Sequence, residues 1–136
     1  MADALYLDTS AVLRAALESG LAPEIDAAIQ GARVLVTSRL SLVESSRVLL
    51  RVRLGGRVSE RALAEAERSV ETIWSRTNVW ELTASICEAA RHVAPGKVLR
   101  ALDALHLATY VAARRRIEGL ELLTADERLR AAAELA

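Results

Sequence analysis

Ala4-Leu5-Tyr6-Leu7 is a run of four apolar residues that ends on an acid, Asp8. A short apolar run closed by a charge reads as a buried strand. Working outward, residues 11–18 have helical composition and Gly20 closes them; a second short helix covers Pro23 to Gln30, with Pro23 in the first turn, where its missing N–H does no harm. Val34-Leu35-Val36-Thr37 is the second strand, and Ser38 caps a helix from Arg39 to about Leu54 that Gly55-Gly56 ends. The next helix runs from Ser59 to about Ser75, with Leu63, Ala66, Val70 and Ile73 stepping by three or four. Val79-Trp80-Glu81-Leu82 is a third strand, Thr83 to about Val93 a helix, residues 94–97 a loop, and Ala101 to Ile117 a long helix. Leu120-Glu121-Leu122-Leu123 is the fourth strand and Asp126 to Glu134 the last helix. Strands alternating with helices imply parallel pairing with helices on both faces. The expected class is α/β: a three-layer α/β/α fold around a central, mainly parallel sheet of four or five strands. A fifth, edge strand is expected to be missing or very short, because the last helix reaches almost to Ala136.

The 136 residues, 52% hydrophobic, suit one core and are too few for two, so residues 1–136 read as a single domain. Phe is absent, so Leu, Val, Ile and Ala fill the interior. The net charge is zero, and global charge gives no sign of a nucleic-acid partner. All the basic residues except Lys97 are Arg. A compositional bias explains that better than phosphate gripping does, although the Arg fork suits phosphate. The single cysteine, Cys87, excludes an intrachain disulfide and a cysteine metal cluster, and its apolar helical context predicts a small core residue. No apolar run approaches the ~20 residues of a membrane span. Met1-Ala2-Asp3 lacks the basic start of a signal peptide, so a cytoplasmic location is the default expectation.

Four acids fall at informative places on this sketch. Asp8 ends the first strand and Asp126 follows the fourth, and ligand sites in open parallel sheets form beyond the carboxyl ends of the strands. Glu44 interrupts the apolar stretch of Leu40, Leu42, Val43 and Val48 near the start of its helix. Asp103 lies in the first turn of the long helix, between Leu102 and Ala104. Gathering four carboxylates is costly without a cation. An oxygen-only ligand set points to Mg²⁺ or Mn²⁺ rather than zinc, for which His92, His106 and Cys87 offer no suitable spacing. A metal held this way can activate a water and offset charge on a phosphate oxygen, and a pair ~4 Å apart can stabilise both the entering and the leaving oxygen. Each acid also has a plainer explanation. Asp8 can cap the following helix, Glu44 can form a capping box with Ser41, Thr124 and Glu127 share that spacing around Asp126, and Asp103 suits a helix first turn.

Tyr6-Leu7-Asp8-Thr9-Ser10-Ala11, Leu42-Val43-Glu44, Arg100-Ala101-Leu102-Asp103-Ala104-Leu105-His106-Leu107-Ala108 and Leu122-Leu123-Thr124-Ala125-Asp126 occur in order across nearly the whole chain. Together they resemble the four acid motifs of PIN-domain ribonucleases, in particular the VapC-type toxins of toxin–antitoxin pairs. The resemblance implies metal-binding, catalytic acids at Asp8, Glu44, Asp103 and Asp126, pocket hydroxyls from Ser10 and Thr124, a Mg²⁺ or Mn²⁺ cofactor, and cleavage of single-stranded or looped RNA. It also implies a homodimer inhibited by a small antitoxin protein, in a heterotetramer or larger assembly, with no membrane partner. Glu127 and Arg130 follow the fourth acid, where such proteins often carry another acid, so a fifth ligand is not assigned.

Arg47 and Arg51 follow Glu44 on its helix and are candidates for holding phosphates. The same stretch carries Val48, Leu49, Leu50, Val52 and Leu54, more apolar surface than one face needs, so a partner helix is expected to cover part of it. His106 reads as a partly buried, hydrogen-bonded helix residue ahead of a substrate- or carboxylate-positioning one. Trp74 and Trp80 read as packing, and Arg114-Arg115-Arg116 as a solvated helix end. Two rival functions remain: a non-catalytic RNA- or protein-binding module of the same fold, and a housekeeping RNA-processing nuclease. A phosphoacceptor receiver fits poorly, since Asp8 stands alone at its strand end and the only Lys lies in a loop.

Overall fold

The computed structural model describes residues 2–18 and 20–136. Four strands, β1 (Ala4–Leu7), β2 (Val34–Ser38), β3 (Asn78–Trp80) and β4 (Glu121–Leu123), pair in parallel in the order β3-β2-β1-β4. β1 is central and buried at every position. Its alternation sorts the core into two layers. Leu5 and Leu7 pack with Val12, Ile29, Leu35, Leu49, Leu63 and Trp74. These come from β2 and from α1 (Thr9–Leu17), α2 (Pro23–Gly31), α3 (Arg39–Gly55) and α4 (Glu60–Ser75). Ala4 and Tyr6 face the other way, against Val36, Leu107, Tyr110 and Leu129. That second layer is built from α6 (Ala101–Arg114) and α7 (Glu127–Leu135), with α5 (Ala84–Ala90) packed on α6.

The chain thus steps from β1 out to β2 and β3 with helices on one face. It then returns through α5 and α6 on the other face to place β4 beside β1. The direction of travel reverses between β1 and β4, the position at which open α/β sheets form their ligand crevice.

Several boundaries differ from the sequence expectation for identifiable reasons. β3 is Asn78–Trp80 rather than 79–82. Arg39 grips the Glu81 carboxylate with two hydrogen bonds, of 2.9 and 2.6 Å, and Thr83 caps α5 by accepting the Ile86 N–H, so residues 81–83 serve a turn. α6 ends at Arg114, whose guanidinium lies over the Tyr110 ring and donates to the Ala136 carbonyl. α3 closes at Gly56, which takes the left-handed conformation (φ 66°) that glycine adopts without strain. No fifth strand is present among the described residues. Cys87 is exposed rather than core, because α5 turns its neighbour Ile86 inward instead. Among the described residues no helix is long and apolar enough to cross a membrane.

Candidate active site

Asp8 sits at the carboxyl end of β1 and is only 6% exposed. Its N–H donates to the Leu123 carbonyl at 3.0 Å, so the β1–β4 ladder itself positions it. It occupies the cap position of α1, yet its side chain makes no cap bond. Instead Oδ2 accepts from Ser10 Oγ at 2.6 Å and from Thr124 Oγ1 at 2.7 Å. Each hydroxyl spends its proton on Asp8 and accepts a backbone N–H in return: Ser10 from Ala125 and Thr124 from Asp126, both at 3.0 Å. The two loops that bear the first and fourth acids are therefore sewn together by two hydroxyls.

Glu44 lies in the second turn of α3. The capping-box reading does not hold: Ser38 is the cap, and Ser41 instead accepts the Thr37 hydroxyl. Glu44 Oε1 accepts from Thr9 Oγ1 at 2.7 Å and from His106 Nε2 at 2.6 Å. Burial would raise its pKa, but the bonds from His106 and Thr9 outweigh burial and hold the carboxyl below its ordinary range. His106 is 2% exposed; its Nε2 also lies 3.7 Å from Asp8 Oδ1, and its Nδ1 lies 2.9 Å from the hydroxyl of fully buried Tyr6. Burial and the Asp8 charge push the Tyr6 pKa well above the ordinary phenol value.

Asp103 is in the first turn of α6, as expected, and is partly exposed. Its pKa is raised by burial, then by the charges of Asp126, Asp8 and Glu44, with His106 opposing. Asp126 is the cap of α7: Oδ1 accepts the Arg128 N–H at 2.9 Å and the Leu129 N–H at 3.4 Å. Its plain explanation is thus correct and incomplete, because Asp126 also lines a cleft of about 640 Å³ with Glu44, Asp103, Arg100, Ala101, Leu102 and Arg128. Asp8 lies beside this cleft, linked to Asp126 through Thr124 and bordered, like Glu44, by His106.

These donors fit a hard divalent ion. All four acids offer oxygen, and burial first, then the charges of the neighbouring acids, raise the Asp103 pKa, both of which a cation would offset. As they stand, no three His, Cys, Asp or Glu side chains among the described residues form a ready cage for an ion. Hydrogen-bond donors hold Asp8 and Glu44 in place, while Asp103 and Asp126 stand across the opening.

Arg47 and Arg51 are exposed on α3, one and two turns beyond Glu44, and do not line this cleft. Arg100 and Arg128 do. Sequence reasoning passed over them, although Arg100 lies three residues before Asp103 and Arg128 two after Asp126. Trp74 is packing, with its Nε1 donating to Ser45 Oγ at 3.0 Å.

The family profile for the PIN domain matches residues 5–135. Ribonuclease VapC45 of Mycobacterium tuberculosis is 32% identical over 132 residues, which cover 97% of this chain and 90% of that protein. Among solved structures, PAE2754 from Pyrobaculum aerophilum gives a TM-score of 0.66 at 27% identity, covering 98% of this chain and 81% of the other. VapC20 of Mycobacterium tuberculosis, a sarcin–ricin loop cleaving toxin, shares the fold with a TM-score of 0.64 at 21% identity over 95% of each chain.

Proposed function

The chain belongs to the PIN-domain family, and from that premise we propose that it is an endoribonuclease acting as the toxin of a toxin–antitoxin pair, with Mg²⁺ or Mn²⁺ held by Asp8, Glu44, Asp103 and Asp126. The observation that carries this reading is that Glu44, Asp103 and Asp126, from three separate elements, line one cleft, with Asp8 beside it and tied to Asp126 through Thr124. Bound there, a divalent cation supplies Lewis acidity toward a phosphate oxygen and makes water easier to deprotonate.

The protein's own groups account for the rest. Ser10 and Thr124 hold the Asp8 carboxyl in place beside the cleft. Arg100 and Arg128 stand at its rim and join no ion pair among the described residues, so their forks are available to RNA phosphates. An open cleft with acids on its walls suits a splayed single strand or loop better than a duplex, whose bases are stacked out of reach. On α3, Val43, Leu50 and Leu54 are exposed, beside a hollow of about 400 Å³ against α4 lined by Leu42, Leu49, Val70 and Trp74. That apolar groove is the place for the amphipathic helix of an antitoxin. The reading includes a single domain over residues 1–136 and a homodimer.

The test is cleavage of a structured RNA by the purified chain with Mn²⁺ or Mg²⁺. Cleavage should stop with EDTA and in a folded Asp103→Asn variant. Cleavage that survives both treatments removes the metal mechanism, and RNA binding without cleavage under every cation makes the protein a binding module.

A further inference from the structure

His106 sits among Leu105, Leu107 and Ala108 on α6, where a leucine would fill the volume without the cost of burying a polar ring. Both of its nitrogens are engaged. Glu44 Oε1 can only accept, so Nε2 carries a proton and donates to it across 2.6 Å. In the neutral form of that ring Nδ1 keeps a lone pair, and the Tyr6 hydroxyl, which can donate to it, lies 2.9 Å away. Tyr6 thereby selects the tautomer that serves Glu44. Both side-chain bonds to Glu44, from His106 and Thr9, end on Oε1, which leaves Oε2 as the oxygen without a partner among the described residues. The terminal torsion of a glutamate is broad when nothing holds it.

We propose that Tyr6 and His106 form a relay of positioning residues that fixes the Glu44 carboxylate with Oε1 turned inward and Oε2 presented to the cleft, a role that rests on Glu44 being a cation ligand. The relay joins opposite layers of the fold: Tyr6 and His106 belong to the core beneath α6, and Glu44 rides on α3. A packing role alone asks only for shape at position 106. A positioning role asks for a donor at one point of the ring.

The experiment is titration calorimetry with Mn²⁺ alone on the parent protein, Glu44→Gln, His106→Leu, His106→Gln and Tyr6→Phe, each first compared with the parent by near-ultraviolet circular dichroism. Partners that orient metal ligands typically set affinity by about 10–100-fold, so His106→Leu should weaken Mn²⁺ by that factor and Glu44→Gln by at least as much. The amide N–H of His106→Gln takes the place of Nε2 and should recover most of the loss. Tyr6→Phe, which frees the tautomer, should fall between. Parental affinity in folded His106→Leu overturns the relay, as does His106→Gln binding no better than His106→Leu. If His106→Leu does not fold, Tyr6→Phe decides: parental affinity there overturns the relay, and weakened affinity supports it. Unchanged affinity in Glu44→Gln overturns the ligand assignment itself, and the relay with it.

Discussion

Asp8 and Glu44 each hold one oxygen under two side-chain donors, whereas the Asp103 carboxyl accepts no hydrogen bond among the described residues and the Asp126 carboxyl receives only backbone N–H groups, both on Oδ1. The first pair is satisfied by the protein. The second faces the cleft with charge that the protein does not neutralise. In one site, then, Glu44 stabilises the fold as a carboxylate, and Asp103, raised first by burial and then by the neighbouring acids, is disfavoured as a carboxylate until something positive arrives. Hydrogen bonding buries a charge at tolerable cost; burial and repulsion without such bonds leave a preference for a cation.

The sharpest way to break this contrast is Asp103→Asn. It should reduce RNA cleavage by more than the about 100-fold that loss of an orienting partner costs, while its melting temperature in EDTA stays at or above the parent's. A loss of stability would show that Asp103 is held like Asp8. Next, Thr124→Val removes a proton donor to Asp8, in a buried bond, and the acceptor of the Asp126 N–H, in a part-buried one. Hydrogen bonds to charged groups contribute about 1.5–3 kcal/mol, and urea unfolding at neutral pH should show a loss of that order.

The pH dependence separates the pairs more finely. The Glu44 pKa is lowered on folding, so its stabilisation is present above the unfolded value of 4.5 and is lost as pH falls through the lower, folded value. The Asp103 pKa is raised, so its ionised form weakens the fold, and stability is regained as pH falls through its folded value toward 3.8. Urea midpoints measured without metal should therefore fall less steeply into acid for Glu44→Gln and more steeply for Asp103→Asn. Smallest is the effect at the rim. In the uncleaving Asp103→Asn background, Arg100→Ala and Arg128→Ala should each lower the slope of log affinity for single-stranded RNA against log salt by about 0.7, the share of one phosphate contact.

How legible this was depended on where the determining contacts lay. The apolar run before Asp8 and the register of acids with strand ends are local, and the structure keeps them. The end of β3 was not legible, because Glu81 is drawn off by Arg39, 42 residues away. Nor was the partner of His106: a histidine three residues after an acid on an apolar helix was a visible signal, but Tyr6 lies 100 residues distant. Arg47 and Arg51 were chosen by nearness to Glu44 along one helix, whereas the cleft is closed by arginines beside Asp103 and Asp126 on two other segments. Distance along a chain is a poor guide to which charge rims a crevice when its walls come from several elements.

Under the proposed function Asp126 is both the cap of α7 and a cation ligand. Asparagine caps a helix about as well as aspartate does, so α7 would barely register the exchange. Any survey that scored this position by folding alone would mark it permissive, and the cost would surface only when nucleic acid was supplied. A residue can therefore hide a chemical duty behind an architectural one, and the substitution that separates the two is the mildest available.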